Sequence, residues 1–306
     1  MPAFKPNLFS DMMPTFKQQL CTWLASLQFH CEEEKTDGFF CRLMVFSRKD
    51  LLMKLILAET VQWQKSGTPE ELHAEIKQIE EQRESGLRSV ILWDDLWMTK
   101  TEIVKSRIGA ALGISHKIPA RLTVVRRIDK ATAAYFIEKN HLNGDVTSKY
   151  RYGLFLPARY FRILHTDFPH HSDSDELLAA VATFSRPRIF RREEQPFRSY
   201  ELIRFASLLH SNVVGGLDKL LRAFIRERKP DDIMTYADLE WSDGSNYEKL
   251  GFQKISRIPP IPFYLNPESM QRNPVTNDLK EEKTASGTVI TVYNAGSIKY
   301  VKTVVN

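Results

Sequence analysis

Of the residues whose types move protons, His141, Asp238 and Tyr247 are the candidates for chemistry. His141 follows a predicted helix and precedes the turn at Gly144, which makes it surface-accessible and a general base near neutral pH. The plainer reading is a histidine capping a helix C-terminus, where the dipole favours it. Asp238 closes a predicted strand and either orients an amine, accepting its proton, or makes an Asx turn. Tyr247 either protonates a leaving group or is a core tyrosine with its hydroxyl exposed. Gly215 and Gly216 stand just before a helix, where unpaired N–H groups and the dipole favour an anion. They serve equally for tight helix–strand packing. Arg204 lies within a strand, so it pairs with a buried acid or faces a phosphate.

The elements that must hold these residues can be read from periodicity. Tyr200–Leu208 predicts a strand and His210–Val214 a turn. Leu217–Arg228 predicts a helix, with Leu217, Leu220, Leu221, Phe224 and Ile225 on its apolar side. After the stop at Lys229–Pro230, Ile233–Ala237 predicts a second strand, and a polar loop leads to Tyr247–Phe252. Strand, glycine turn, helix and strand make a βαβ unit. With strands at 121–127, 150–156 and 177–185 and a helix at 130–140, residues 121–264 read β-α-β-β-β-α-β-α-β. The segment 157–175, with His165, His170 and His171, and the segment 186–198 read as loops.

This order, ending in Tyr-Glu-Lys-Leu-Gly-Phe at 247–252, resembles the acyl-CoA-dependent N-acetyltransferase superfamily, the GNAT fold. The resemblance implies a mixed, partly splayed sheet and acetyl-CoA or another acyl-CoA as cofactor. It places the CoA pyrophosphate on the turn Asn212, Val213, Val214, Gly215, Gly216 and Leu217, and makes Tyr247 a general acid near the thioester. The family pattern is a basic residue or Gln, two of any kind, Gly, any, then Gly or Ala. Asn212 and Leu217 depart from it at its two ends.

The first part of the chain predicts helices at 15–26, 69–84 and 99–112 and strands at 39–46, 51–57 and 89–93. The run from Trp63 to Leu112, with Ser-Val-Ile-Leu-Trp-Asp-Asp-Leu-Trp at 89–97, is similar to the closing part of very-short-patch-repair-like (Vsr-like) nucleases of the PD-(D/E)xK type, and of phage homing endonucleases that contain that domain. Those nucleases hold Mg²⁺ on acids of two neighbouring strands. Here Arg42 and Lys54 stand near the expected acids and would repel a cation, so these departures read as a domain without metal or nuclease activity; an unusual site formed by Asp50 and Glu59 is the alternative. Residues 63–264 also resemble phage homing-endonuclease-like proteins in five ordered pieces. These are Asn140–Gly144, Ile203–Phe205, Val213–Gly216, Tyr236–Asp238 with Trp241, and Tyr247–Phe252. The expected organisation is α/β (α+β): a degenerate restriction-endonuclease-like domain over 1–113, a linker over 114–120, and a GNAT-like domain over 121–306. The tail contributes a hairpin at 288–293 and 299–304.

Charge is unevenly distributed over the 306 residues, whose formal net charge is +5. Residues 66–102 hold nine acidic and four basic side chains, whereas 117–163 hold ten basic and three acidic and 181–230 hold eleven basic and five acidic. Phosphate, in a nucleic acid or a cofactor, is the matching partner for the second half; a solvated basic face is the alternative. Arg186, Arg188, Arg191, Arg192 and Arg204 are the candidates for nucleic acid, with DNA expected. Cys21, Cys31 and Cys41, ten residues apart, fit no usual zinc spacing and read as reduced thiols of a cytoplasmic protein, with no signal peptide and no membrane span. Two functions follow: an acyltransferase acting on nucleic acid or an associated substrate, and a non-catalytic DNA-binding protein of mobile-element origin.

Overall fold

The computed structural model describes residues 14–35, 38–165, 168, 174–192, 194–275 and 289–304, so His170 and His171 lie outside the described residues. In chain order the first elements are α1 (Phe16–Ser26), β1 (His30–Glu34), β2 (Cys41–Ser47), β3 (Asp50–Ala58), α2 (Thr60–Ser66), α3 (Pro69–Glu84), β4 (Arg88–Trp93) and α4 (Asp94–Thr99). There follow α5 (Thr101–Ala111), β5 (His116–Pro119), β6 (Val124–Arg127), α6 (Lys130–Asn140), β7 (Tyr150–Pro157), β8 (Glu176–Phe184), β9 (Arg188–Arg192), β10 (Gln195–Ser207) and β11 (Ser211–Val214). The rest are α7 (Gly216–Arg228), β12 (Asp232–Asp238), α8 (Ser245–Glu248), β13 (Gln253–Ile258), β14 (Pro262–Asn266), β15 (Gln271–Pro274), β16 (Ile290–Tyr293) and β17 (Ser297–Thr303). The fold is α+β, with mixed sheets and flanking helices.

The chain forms two compact units, residues 1–98 with 263–292, and residues 99–262 with 293–306. This differs from the expected division. Helix α5 belongs to the second unit, not the first, and 263–292 returns to the first. The glycine stop at Gly113 resembles a boundary in sequence, but α5 carries side chains that the second unit uses.

In the first unit, β1, β2 and β3 are antiparallel and β4 runs parallel to β3. The parallel step requires a crossover, supplied by α2 and α3. Helix α3 begins with a capping box: Thr68 accepts the Glu71 N–H, Glu71 accepts the Thr68 N–H, and Pro69 sits at the first helical position.

The large sheet of the second unit has the order β13-β17-β12-β10-β8-β7-β6, with β9 on β10. Every neighbouring pair is antiparallel except β10 and β12, which are parallel because α7 crosses between them. Ala133, Phe136 and Ile137 of α6 pack on Val181 and Ala206. Phe224 of α7 stacks on Phe184 at 3.9 Å. Val181 and Phe184 are an odd number of residues apart on β8, so the two helices cover opposite faces.

Two expected loops are sheet. In the first, Arg188–Arg192 pair with Gln195–Ser199 as the β9–β10 hairpin, and in the second, Ser211–Val214 form β11, which runs parallel to β5. The expected tail hairpin does not form: β16 joins the β15-β14-β16 sheet, while β17 inserts between β12 and β13. A turn signal shows that the chain bends; which distant strand each arm pairs with is a tertiary matter.

Candidate active site

Strands β10 and β12 stay together for three residues only, Ser199–Glu201 against Asp232–Met234. Beyond them β10 follows β8 as far as Ser207, with a bulge between Leu202 and Arg204. Meanwhile β12 follows β17 as far as Asp238. The sheet therefore opens between two parallel strands, towards their carboxyl ends, which is where open α/β sheets bind ligands. At the apex the buried Thr235 Oγ1 donates to Leu202 O at 3.0 Å.

Helix α5 bridges the mouth of the opening with two consecutive residues. Ser106 Oγ accepts the His210 N–H at 2.8 Å, just beyond β10. The Arg107 guanidinium lies 4.6 Å from the ring of Trp241, just beyond β12. Burial lowers the pKa of Arg107, opposed by the charges of Asp238, Tyr247 and Glu240 around it.

The three expected proton-transfer residues all lie at this end of the second unit. Tyr247, on α8, hydrogen-bonds with Thr235, and burial raises its pKa, so it keeps its proton at neutral pH. Asp238 ends β12 and its Oδ1 accepts the Glu240 N–H at 3.0 Å, the Asx turn expected as its plainer role. His141 is the C-cap of α6 and is half-buried, not surface-accessible. Its Nδ1 accepts the Asn143 N–H at 3.1 Å, which places the ring proton on Nε2. Burial, then the charges of Arg204, Arg107 and Lys100, push its pKa down to about 3. A neutral imidazole with Nδ1 occupied is a hydrogen-bond donor through Nε2 at neutral pH.

Arg204 also lies at the opening. Its Nε donates to Gly144 O at 3.1 Å and its Nη1 to Ile203 O at 3.0 Å. Its guanidinium is engaged with the unit's own carbonyls.

The glycine turn begins α7, but it is more constrained than a free loop. Asn212, Val213 and Val214 pair with Lys117, Ile118 and Pro119 of β5. Gly215 has φ 77° and ψ 10°, a left-handed conformation that a side chain resists. A Cβ on Gly216 would come within 3.0 Å of Val213 and 3.2 Å of Leu154, so the packing role is met there. The first intrahelical bond is Lys219 N–H to Gly215 O, which leaves the N–H groups of Gly216, Leu217 and Asp218 ahead of it. Lys219 itself turns away and donates to Ala120 O at 2.8 Å.

Alongside α7 runs a groove of about 440 Å³, lined by Asp218, Leu221, Arg222, Ile225, Lys249, Leu250 and Lys302. Within it Arg222 pairs with Asp218 at 2.9 Å and Lys302 donates to Leu250 O at 2.6 Å, beside the aliphatic Leu221, Ile225 and Leu250.

The β9–β10 hairpin carries four of the arginines assigned to nucleic acid, or leads into it. Register partners share a face, so Arg188, Phe190 and Arg192 stand on one face with Gln195, Phe197 and Ser199. The Phe190 and Phe197 rings stack at 5.0 Å, and the Arg192 guanidinium sits 4.0 Å over Phe197. Arg191 belongs to the opposite face, and Arg186, before the hairpin, is exposed.

In the first unit, Arg42 and Lys54 are held by carboxylates. Arg42 Nη2 bonds Glu75 Oε2 at 2.6 Å and Arg42 Nε bonds Glu75 Oε1 at 3.1 Å; Lys54 Nζ bonds Glu34 at 3.0 and 3.2 Å. Among the described residues no group of three or more His, Cys, Asp or Glu side chains is placed to hold a metal ion. No described helix is long and apolar enough to cross a membrane.

Arg107 was not anticipated from sequence. Its signal was present, since Ile103, Val104 and Ile108 are buried and Arg107 falls among them on an otherwise apolar stripe.

No protein-family model and no curated protein matches this chain. Among solved structures, it is similar to the NatC complex bound to Gag peptide and CoA (12% identity, 60% of this chain and 99% of that one, TM-score 0.34). It is also similar to a Bacillus subtilis acetyltransferase in complex with CoA (11% identity, 60% and 99%, TM-score 0.34). A third is the ribosomal-protein-S18-alanine N-acetyltransferase from Escherichia coli (14% identity, 60% and 95%, TM-score 0.32). Likeness this distant assigns no role to any residue here; such roles rest on this chain's own geometry.

Proposed function

We propose that the second unit is an acyl-CoA-dependent N-acyltransferase of the GNAT type. The observation that carries this reading is the opening between β10 and β12, with Asp238 at the end of β12 and Tyr247 after it, and with α7 crossing between the two strands from a start packed against Ala120 and Leu154. Acyl-CoA would supply the activated acyl group. The N–H groups at the start of α7 would meet its pyrophosphate, and Arg222, Lys249 and Lys302 its remaining phosphate. Asp238 would hold the acceptor amine and take its proton. Tyr247, protonated at neutral pH, would give its proton to the departing thiolate. Calorimetry with acetyl-CoA tests the reading, with Gly215→Trp as the control. Within 4 Å a Cβ at Gly215 meets only Ala120, at 3.8 Å, so there is open space for a larger side chain at the start of α7. Binding to the parent and not to the variant is expected; binding to neither overturns the reading.

A second reading adds nucleic acid, favoured by the hairpin face on which Arg188 and Arg192 flank the stacked Phe190 and Phe197. Arginines neutralise phosphates and exposed rings stack on bases. With Arg188 and Arg192 both changed to Ala, affinity for a DNA oligonucleotide should fall, and the slope of log K against log salt should drop by about 1 for each phosphate left without its arginine. An unchanged slope would sink it. In this reading the first unit, whose chain order begins α-β-β-β-α-α-β, is a nuclease-like domain whose metal positions are replaced by the Arg42–Glu75 and Lys54–Glu34 pairs. Mg²⁺-dependent nicking of a plasmid by the purified protein would contradict that.

A further inference from the structure

Arg107 is a charged side chain in an enclosed place without a hydrogen bond or an ion pair among the described residues. Its Nε has no surface open to water and no acceptor. The indole Nε1 of Trp241, the ring against which it lies at 4.6 Å, is likewise buried without an acceptor. Buried polar groups are nearly always satisfied, so two neighbouring orphan donors call for an absent acceptor. A guanidinium whose Nε is closed to water calls for one carrying negative charge. The nearby acids do not serve: Asp238 and Glu240 influence Arg107 through their charge, but neither forms an ion pair with it. His141 stands within reach of the same charge and presents a further N–H, since its Nδ1 is occupied.

The place of this pair gives it a meaning. Arg107 comes from the helix that bridges the opening between β10 and β12, and Trp241 from the loop just after Asp238. Any acceptor amine held at Asp238 would therefore have the Arg107–Trp241 pair beside it.

We propose that Arg107 and Trp241 form a seat for an oxyanion, and that the acceptor is an amine that also carries a carboxylate or a phosphate. The assignment to an acceptor rests on the acyltransferase reading; the existence of the seat does not. Carboxylate and phosphate share the chemistry a guanidinium recognises, two oxygens matched to a planar fork of donors. Lysine offers the charge without the fork or the stacking plane.

The test follows the indole N–H signals of ¹⁵N-labelled protein, with the Trp241 signal assigned by its loss in Trp241→Phe. The protein is titrated with acetate, with inorganic phosphate and with neutral acetamide. The Trp241 signal should shift saturably with acetate or phosphate and not with acetamide, and the tighter of the two anions names the oxyanion. Arg107→Gln should abolish the shift. Arg107→Lys, which keeps the charge and guards against a folding defect, should weaken it at least tenfold. No saturable shift with either anion, or an undiminished shift in Arg107→Gln, overturns the seat. Acetyl-CoA calorimetry on the same sample reports separately. An anion response without acetyl-CoA binding supports the seat and overturns the acyltransferase reading alone.

Discussion

Glu201 and Met234 are the last partners that join β10 to β12. One residue further on, the backbone ladder is replaced by a single side-chain bond, from Thr235 Oγ1 to Leu202 O at 3.0 Å. The opening that hosts the candidate site begins at this bond. A strand that leaves its neighbour exposes backbone groups, and Thr235 satisfies the first of them where water cannot reach.

Thr235→Val should therefore destabilise the protein although the two side chains are nearly the same size. The buried Leu202 carbonyl loses its donor, at a cost of about 1–3 kcal/mol. Urea denaturation measures this, and Thr235→Ser should recover most of it. A neutral Thr235→Val would show that water replaces the bond.

The two glycines of the turn should respond differently. Gly215→Ala places a side chain at φ 77° with no steric neighbour nearer than 3.8 Å, so only the backbone cost applies, about 1 kcal/mol. Gly216→Ala forces its methyl to within 3.0 Å of Val213 and 3.2 Å of Leu154, an overpacking penalty of about 1–3 kcal/mol. Denaturation of both variants ranks them; the reverse order would mean that the α7–β11 packing gives way easily.

His141 should stay neutral well into acid. Its folded pKa, about 3, lies below the ordinary 6.5, so between these values the unfolded chain holds the extra proton. The contribution of His141 to stability is intact above pH 6.5 and declines as pH falls towards 3, by up to about 1.4 kcal/mol per pH unit. Two-dimensional NMR should find no imidazole titration of His141 between pH 8 and 4.5, and His141→Gln should flatten the fall in stability from pH 7 to 5. A midpoint near 6.5 would restore it as a candidate general base.

Glu75 is 4% exposed and accepts two bonds from Arg42. Removing one partner leaves the other charge uncompensated, so Glu75→Ala should cost about 3 kcal/mol. The double change Arg42→Met with Glu75→Leu should recover most of it, because a fitted apolar pair needs no desolvation of charge. If the double variant is as unstable as the single one, the pair contributes packing that Met and Leu do not replace.

Much of the local structure was legible in the chain. Thr68, Pro69 and Glu71 specify the start of α3, and the spacing of Leu220, Leu221 and Phe224 specifies α7, because capping and amphipathicity act within a few residues. The strand–glycine–helix–strand order around Gly215 also placed Asp238 and Tyr247 at one end of a parallel pair.

What only the tertiary structure decided is everything that depends on partners far apart in sequence. The arginine run at 186–198 reads as a loop until Arg188 and Ser199 prove to be register partners. The tail reads as a hairpin, yet β17 finds β12 and β13. His141 is a base near neutral pH by residue type, and burial beside Arg204 and Arg107 makes it neutral and weakly basic. Arg107 gained its place when α5 crossed the opening of a sheet it does not join. Capping and periodicity are short-range and survive in the sequence; desolvation and charge depend on what surrounds a group in space, and only the folded chain sets that.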